Sequence, residues 1–480
     1  MFEIRNLEAE TGSKIDNTRH YPTKNTSDKK MFTTLNPYNQ EKLADYPAFD
    51  ATQTEETLQK AATAYLDWRN TSLPDRSGLL IQAAQILRHY SERYARTLTL
   101  EMGKPIRQSR SEIEKCAWVC EYYATQAANF LSDEKIETDA GQSWISYHPI
   151  GAVLAIMPWN FPFWQVFRFA APTLMAGNVA LLKHAPNVLG STLLIEKVFR
   201  EAGFPEGVFQ NLIIETHDVE SIIRHPVVKA VTLTGSDRAG SAVAALAGRE
   251  IKKSVLELGG SNAFIVLDDA DLPLAVDAGV AARMQNNGQS CIAAKRFLIQ
   301  RGISGTYIRH FTDQMKGFVT GDPLDEKTTL GPLARIDLAE KLEQQVQKSV
   351  EMGATCLLGG KRNRTFFEPT VLTGVVPGMP AFDEELFGPV AAFTEIDNLD
   401  HAIELSNLSV YGLGVSIFTH QTEAVIARLH QLEDGAVFVN EMVKSDPRLP
   451  FGGTKRSGFG RELSAIGIRE FTNIKTVYIR

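Results

Sequence analysis

A thiol and a carboxylate stand in short motifs that could make both groups chemically active. Cys291 follows a glycine-containing turn at residues 287–291, where backbone N–H groups could stabilise a thiolate. Glu257 ends an apolar run and precedes Gly259-Gly260, and loss of water there should raise the pKa of its carboxyl toward that of a general base. The structural alternatives are a buried small side chain for the cysteine and a paired or edge-exposed carboxylate for the glutamate.

A rigid turn carries a third candidate group. Asn160 lies between Pro158 and Pro162, directly after the apolar run of residues 152–156. Open α/β sheets bind ligands at the carboxyl ends of their strands, so the Asn160 amide could donate a hydrogen bond to a developing oxyanion. The alternative is that Asn160 caps the following helix, because asparagine is a favoured N-cap residue.

One glycine-containing segment could bind phosphate. Gly235 and Ser236 connect a strand-like run to a predicted helix, and helix N-termini with small residues attract phosphate. The segment matches neither the dinucleotide-binding fingerprint nor a Walker A loop, and similar turns are common without a ligand. Residues 452–458 also lack P-loop spacing, which favours a tight loop.

The composition is that of an ordinary globular protein with small-molecule partners. The 480 residues are 44% hydrophobic and 22% charged, and a net charge of -7 gives no reason to expect nucleic acid. No apolar stretch approaches the roughly 20 residues that span a bilayer, so no membrane partner is expected. The N-terminus lacks a secretory pattern and the cysteines are few, which predicts a cytoplasmic protein. Cys116, Cys120 and Cys356 are expected to be buried, and no zinc-type spacing indicates a metal site.

Strand-like and helical segments alternate along the chain. A helical pattern covers about residues 52–130, and apolar runs at residues 152–156, 179–182 and 228–233 each precede a helical stretch. A second series begins at residues 263–267. This alternation predicts an α/β fold in which two parallel-sheet domains face each other across a cleft. Residues 1 to about 30 are polar and predict a mobile or surface-laid extension.

Seven segments together resemble the aldehyde dehydrogenase superfamily over roughly residues 31–480: 101–105 (EMGKP), 158–162 (PWNFP), 256–260 (LELGG), 288–291 (GQSC), 385–389 (ELFGP), 451–453 (FGG) and 460–462 (GRE). The resemblance implies two Rossmann-like parallel-sheet domains plus a small β extension for oligomerisation. Residues 31–130 and 149–258 would form the cofactor-binding domain and residues 259–448 the catalytic domain. Residues 131–148 and 463–480 would form the oligomerisation segments of a homodimer or homotetramer, and residues 1–30 the N-terminal extension.

The same resemblance implies NAD(P)-dependent oxidation of an aldehyde to a carboxylic acid, without a metal. Cys291 would attack as thiolate, and the Asn160 amide and the Cys291 backbone N–H would hold the oxyanion. After hydride leaves for the nicotinamide, water deprotonated by Glu257 would hydrolyse the thioester. The alternatives are transfer of the acyl group to coenzyme A, which the presence of Glu257 disfavours, and a non-catalytic binding protein on the same scaffold.

The residues that the resemblance assigns to the cofactor are Ile156, Pro158, Trp159, Lys183, Gly235, Ser236, Glu385 and Phe387. The glycine and serine would lie by the pyrophosphate, the lysine by the adenosine ribose, and the last two by the nicotinamide and its ribose. NAD-preferring relatives carry a glutamate three residues after that lysine, whereas this chain has Pro186. Because proline has no charge to repel a 2′-phosphate, either NAD or NADP is expected, with NADP at least tolerated.

Arg168 is the candidate that selects the substrate. It lies about two helical turns beyond Asn160, and the succinate-semialdehyde dehydrogenase branch is similar in carrying an arginine there. The resemblance therefore implies a bidentate grip on the carboxylate of succinate semialdehyde. A second arginine of some members corresponds to Gln285, so one anchor would be missing, and Ser445 is a further candidate. The alternatives are a salt bridge of Arg168 without a substrate role and another small aldehyde as substrate.

Overall fold

The computed structural model describes residues 30–480, so the interpretation of the preceding residues as an extension lies outside it. Residues 30–149 form β1 (Met31–Leu35), β2 (Lys42–Pro47), α1 (Ala51–Trp68), α2 (Leu73–His89), α3 (Ser91–Met102), α4 (Ile106–Phe130), β3 (Glu134–Lys135) and β4 (Gln142–Pro149). Residues 152–257 form β5 (Ala152–Met157), α5 (Trp164–Met175), β6 (Val179–His184), α6 (Leu189–Glu201), β7 (Phe209–Asn211), α7 (Val219–Arg224), β8 (Val228–Thr234), α8 (Asp237–Arg249) and β9 (Lys253–Glu257).

The second half of the chain repeats the alternation and then returns to the first half. Residues 262–439 form β10 (Asn262–Val266), α9 (Leu272–Met284), β11 (Ala294–Gln300), α10 (Arg301–Lys316), α11 (Ile336–Glu351), β12 (Thr355–Leu358), β13 (Arg362–Asn363), β14 (Phe366–Phe367), β15 (Thr370–Thr373), α12 (Pro380–Asp383), β16 (Val390–Ile396), α13 (Leu399–Asn407), β17 (Tyr411–Gly412), β18 (Val415–Phe418), α14 (Thr422–Ile426) and β19 (Val437–Val439). The last elements are β20 (Thr454–Lys455), β21 (Gly458–Phe459), α15 (Ser464–Arg469) and β22 (Thr472–Ile479).

The first sheet has the strand order β21-β9-β8-β5-β6-β7, and every pair in it is parallel except β21 with β9. From β5 the chain builds one side of the sheet through β6 and β7 and the other side through β8 and β9. The strand order therefore reverses between β5 and β8. Open α/β sheets bind ligands at such a reversal, outside the carboxyl ends of the strands.

The second sheet has the order β12-β15-β16-β11-β10-β18-β19, with β12 as its antiparallel edge. Aromatic rings from its central strands pack on one face: Phe264 stacks on Phe418 with ring centroids 4.7 Å apart, and Phe297 on Phe393 at 5.0 Å. The predicted α/β fold with two parallel sheets is confirmed. The domain limits stay a prediction.

A third sheet joins the two segments that were predicted to act in oligomerisation. β4 and β22 pair antiparallel along their whole length, and β3 lies on the other side of β4. The two segments are thus neighbours within one chain, and their pairing between subunits stays a prediction. Across residues 30–480, no helix combines the length and the apolar character that a membrane crossing requires.

Helix α5 connects the turn that carries Asn160 with the candidate substrate residue Arg168. All of its residues are buried, as expected of a helix that is apolar on nearly every side. It begins directly after the turn that carries Asn160, packs against α4 and β6, and holds Arg168 in the interior. The position of α5 therefore sets the distance between the turn after β5 and the candidate substrate residues.

Candidate active site

The turns that follow β5 and β8 lie where the strand order reverses. β8 ends at Thr234, and Ser236 caps α8 by accepting a hydrogen bond from the backbone N–H of Ala239 at 3.3 Å. The N-terminus of α8, the positive end of its dipole, therefore lies beside Gly235 and Ser236. These are the residues that were predicted to contact the pyrophosphate.

Asn160 is hydrogen-bonded to the segment that precedes Cys291 and does not cap the helix that follows it. It is 5% exposed, and its Nδ2 donates a hydrogen bond to the backbone carbonyl of Gln289 at 3.2 Å. Its Oδ1 has no hydrogen-bond partner in residues 30–480. Helix α5 begins with Phe163 as N-cap and has no side-chain cap, so the capping alternative for Asn160 is wrong.

The start of α5 is fixed by a carboxylate from α4. Glu112 Oε1 accepts hydrogen bonds from the backbone N–H groups of Phe163 and Trp164, at 2.9 and 3.0 Å. Its other oxygen pairs with Lys104, and both side chains of this ion pair are 1% exposed. The Lys104 ammonium also lies 4.2 Å from the ring centroid of Phe161. The end of the turn that leads into α5 is therefore held by both members of this ion pair.

Cys291 ends a strained turn, residues 286–291, here named the cysteine turn. Asn286 and Asn287 have φ angles of 55° and 56°, in the left-handed region that asparagine tolerates better than other residues with a Cβ. The fully buried Lys295 donates hydrogen bonds to the last two backbone carbonyls of the turn, each at 2.9 Å. These contacts place the thiol at the surface of a cavity while its backbone stays fixed.

Glu257 is a buried carboxyl group without a hydrogen-bond partner. It ends β9, is 2% exposed, and neither of its oxygens has a partner in the described part of the chain. Burial, with a smaller contribution from the nearby Glu462 carboxylate, raises the pKa of Glu257 well above its ordinary value. Glu257 is thus neither ion-paired nor exposed, which overturns the structural alternative and fits a base kept away from water.

Arg168 already has an ion-pair partner and an aromatic contact within the protein. Its guanidinium forms an ion pair with Glu462 and stacks over Phe451, with 4.6 Å between its central carbon and the ring centroid. One further nitrogen lies 3.4 Å from the hydroxyl of Thr234. The salt-bridge alternative for Arg168 is therefore present in the structure, and its grip on a substrate carboxylate stays a prediction.

Two cavities meet at Cys291, which lines both. The first has a volume of about 490 Å³, and its predicted lining residues are Pro158, Trp159, Asn160, Gly235, Ser236, Glu385 and Phe387. The second has a volume of about 440 Å³, and its predicted lining residues are Arg168, Gln285 and Ser445. Both volumes are those of small-molecule sites. Ile156 and Lys183 lie outside the lining of the first cavity, side by side near the carboxyl ends of β5 and β6.

The first cavity holds its acidic residue in a fixed position. Glu385 accepts a hydrogen bond from the Gly260 backbone N–H at 3.1 Å and lies 3.4 Å from the ammonium of Lys295. A Cβ on Gly259 would lie only 2.7 Å from Glu385 Oε2, so a larger residue there would displace the glutamate carboxylate. The rings of Trp159 and Phe387 meet edge to face at 5.7 Å.

The second cavity contains a cation that the sequence analysis missed. Lys115, on α4, lines this cavity and donates a hydrogen bond from Nζ to the Ser445 hydroxyl at 2.7 Å. The two residues are 330 positions apart, so no local pattern could have linked them. The three buried groups Lys295, Glu112 and Glu462 were likewise not singled out, because burial of a charge has no local sequence signal.

The other cysteines have no part in this site. Cys116 and Cys120 are buried on α4 as expected. The expected burial of Cys356 is wrong: it lies exposed on β12, an edge strand with one open side. Within residues 30–480, no cluster of three histidine, cysteine or acidic side chains could hold a metal ion.

Comparison with known proteins decides the family. The model of the aldehyde dehydrogenase family matches residues 23–477. The chain belongs to the aldehyde dehydrogenase family. This aldehyde dehydrogenase is 47% identical, over 93% of its length and 99% of the relative's, to a Synechocystis sp. protein named probable NADP(+) succinate-semialdehyde dehydrogenase. It is 48% identical, over 92% of its length and 97% of the relative's, to Escherichia coli Sad, named an NAD(P)+ succinate semialdehyde dehydrogenase.

A solved structure extends the similarity to the backbone. The crystal structure of succinic semialdehyde dehydrogenase from Streptococcus pyogenes in complex with NADP+ superposes with a TM-score of 0.91 at 36% identity. The superposition covers 93% of this aldehyde dehydrogenase and 99% of that chain. The fold class inferred from the sequence is therefore that of the family.

The Cys291 thiol should react with iodoacetamide only as it deprotonates. Burial raises the pKa of Cys291 to about 11, although Arg168 and Lys295 act in the opposite direction. In the cofactor-free enzyme, we expect alkylation of Cys291 to rise about tenfold per pH unit between pH 7 and 10, because only the thiolate reacts. Mass spectrometry of the Cys291 peptide separates this reaction from that of the exposed Cys356. A rate that is already maximal at neutral pH would contradict the raised pKa.

Proposed function

We propose that this aldehyde dehydrogenase oxidises succinate semialdehyde to succinate, with NADP or NAD as the hydride acceptor. The observation that carries the proposal is that one thiol, Cys291, lines two cavities of different character. One cavity lies at the N-terminus of α8, and the other contains Arg168 and Lys115. The names of the relatives at 47% and 48% identity support the same substrate.

The chemistry begins at the junction of the cavities. The Cys291 thiolate adds to the aldehyde carbon, and the oxygen becomes an oxyanion. Asn160 Nδ2 and the Cys291 backbone N–H are the donors for this oxyanion. The Asn160 amide donates over 3.2 Å to the backbone carbonyl of Gln289, two residues before Cys291, and Asn160 and Cys291 line the same cavity.

Glu257 has the environment of the base that completes the reaction. Loss of hydride from the adduct carbon leaves a thioester on Cys291, which water must hydrolyse. A desolvated carboxylate with a raised pKa is a better proton acceptor than one in water, so Glu257 can take a proton from that water. The products are succinate, the free thiol and one proton.

The first cavity fits a nicotinamide dinucleotide. The N-terminus of α8, with Gly235 and Ser236, offers backbone N–H groups and a positive dipole end to a pyrophosphate. Glu385, held by Gly260 and Lys295, is an acceptor for ribose hydroxyls. When bound, the nicotinamide supplies the hydride acceptor for the reaction at Cys291.

Acceptance of NADP follows from the residue after β6. Pro186 is exposed and begins a short 3-10 turn, three residues after Lys183. Proline has no carboxylate that could approach the ribose 2′ position. Lys183 supplies a cation near the end of β6. A 2′-phosphate would therefore not be repelled by a negative charge at residue 186.

Steady-state kinetics with charged and uncharged aldehydes test the proposal. We expect kcat/KM for succinate semialdehyde to exceed that for butanal by about 10- to 100-fold, the size of a charge-assisted contact to a carboxylate. Formation of reduced cofactor is followed by absorbance, with and without coenzyme A. Coenzyme A should leave the rate unchanged and succinate should be the product. Equal kcat/KM values, or turnover that requires coenzyme A, would overturn the assignment.

The variant Glu257→Gln should separate the two halves of the reaction. Hydrolysis loses its base whereas attack by Cys291 does not, so we expect one burst of reduced cofactor per subunit followed by turnover slowed at least about 100-fold. A succinyl adduct on Cys291 should be visible by mass spectrometry. Cys291→Ser is the control and should give neither burst nor adduct. Absence of the burst in the glutamine variant would place Glu257 before the thioester instead.

The variant Pro186→Glu should shift the cofactor preference toward NAD. A carboxylate there would repel a 2′-phosphate and accept hydrogen bonds from a 2′-hydroxyl, so we expect kcat/KM for NADP to fall about tenfold or more relative to NAD. Pro186→Ala is the matched control, because it removes the ring without adding charge. The ratio of the two kcat/KM values is the measurement. An unchanged ratio in the glutamate variant would show that residue 186 does not face the ribose.

A further inference from the structure

Lys115 occupies an unusual position for a lysine. It lies on α4 with its ammonium inside the second cavity, 2.7 Å from the Ser445 hydroxyl and 4.3 Å from the ring centroid of Trp164. Because an ammonium has three N–H donors, one hydrogen bond to a hydroxyl leaves donors available on the cavity side. The ammonium is therefore held in place but still has N–H donors without an acceptor.

The other charges around this cavity compensate one another. The pairs are Arg168 with Glu462, Lys104 with Glu112, and Arg448 with Asp446. Lys115 has no carboxylate within ion-pairing distance anywhere in residues 30–480. Lys115 is therefore a cation of this cavity whose charge is not matched by an ion pair within the described residues.

The pKa of Lys115 is lowered, as expected for an ammonium without an ion-pair partner. Burial, with a smaller contribution from the neighbouring Arg168 guanidinium, lowers the pKa of Lys115 to about 8. A partly buried ammonium without an ion-pair partner loses part of its hydration, and an anion placed beside it would restore the lost stabilisation.

Gln285 supplies a second unsatisfied donor in the same cavity. Its side-chain Nε2 is buried and has no hydrogen-bond partner in the described part of the chain. Buried amide donors are normally paired, so an unpaired one that lines the same cavity as Lys115 is available to an acceptor. A carboxylate, with two oxygens and no proton, satisfies donors of both kinds.

We propose that Lys115, with Ser445 and Gln285, binds the carboxylate of the aldehyde substrate. The inference rests on the proposed function for the statement that the substrate carries a carboxylate, and it assigns the specificity to Lys115 rather than to Arg168. The hydroxyl of Ser445 accepts from the ammonium and keeps its own proton to donate. Lys115 thus supplies a cation to a cavity in which residue 285 is an uncharged glutamine.

The scaffold holds Lys115 in place for this role. Glu112 lies one helical turn before it on α4 and accepts the first two backbone N–H groups of α5. The same contact that fixes α5 thus fixes the turn of α4 that carries Lys115. A preorganised cation loses little conformational freedom when an anion binds.

The test compares variants that keep or remove the charge. Lys115→Met keeps about the length of the side chain but removes the ammonium, whereas Lys115→Arg keeps the charge. For Lys115→Met we expect the ratio of kcat/KM for succinate semialdehyde to that for butanal to fall about 10- to 100-fold, through KM. Lys115→Arg should retain most of the ratio. Lys444→Met, at an exposed lysine paired with Glu441, is the matched control and should retain all of it.

The outcomes distinguish this inference from the proposed function. If the wild-type enzyme does not prefer succinate semialdehyde, the proposed function fails. If the wild type prefers it and Lys115→Met keeps the full ratio, the inference about Lys115 fails alone. A variant that loses kcat equally with both aldehydes and is not rescued by arginine would show a structural role and also overturn it. Arg168→Met is the comparison: its loss should extend to both aldehydes, because it leaves Glu462 without its ion-pair partner.

Discussion

The cysteine turn is the constraint on which the rest of the site depends. Its left-handed residues cost about 1–2 kcal/mol each in most sequences, and asparagine reduces that cost by making local hydrogen bonds. The Asn287 amide donates to the backbone carbonyls of Gly103 and Pro332, at 3.1 and 3.0 Å, and the Asn286 amide to that of Asn160 at 2.8 Å. The turn is therefore bonded to three distant segments. Cys291 cannot shift relative to the Asn160 turn without breaking buried hydrogen bonds.

Buried cations fix the positions of the groups in this site but add little to the free energy of folding. The Lys104–Glu112 pair is removed from water, and the cost of that removal offsets much of its attraction. What the pair provides is a carboxylate fixed at the start of α5. Lys295 acts in the same way, since its donors hold the carbonyls at the end of the cysteine turn and its charge lies 3.4 Å from Glu385.

Local signals predicted the strands and the turns between them, whereas the partners of buried charges could not be predicted. Apolar runs at residues 179–182 and 228–233 are the cores of β6 and β8, because strand-forming side chains and glycine breaks are adjacent in sequence. Cys291, Glu257 and Asn160 were found through such motifs. The Arg168–Glu462 pair was not, because a helical pattern indicates which face is buried but not which distant charge meets it. Cys356 was misjudged since its edge strand depends on sheet order.

The proposal gives separate tasks to Lys115 and Arg168, the two cations that line the second cavity. Burial and, to a smaller extent, the Glu462 carboxylate raise the pKa of Glu257, and Arg168 is one of the cations that oppose this rise. The same guanidinium also lowers the pKa of the Cys291 thiol. If a substrate carboxylate paired directly with Arg168, it would compete with Glu462 and weaken both effects at the moment when the thiolate must attack. A carboxylate held by Lys115 leaves the guanidinium available to the thiol and to the base, so recognition of the substrate does not oppose the chemistry.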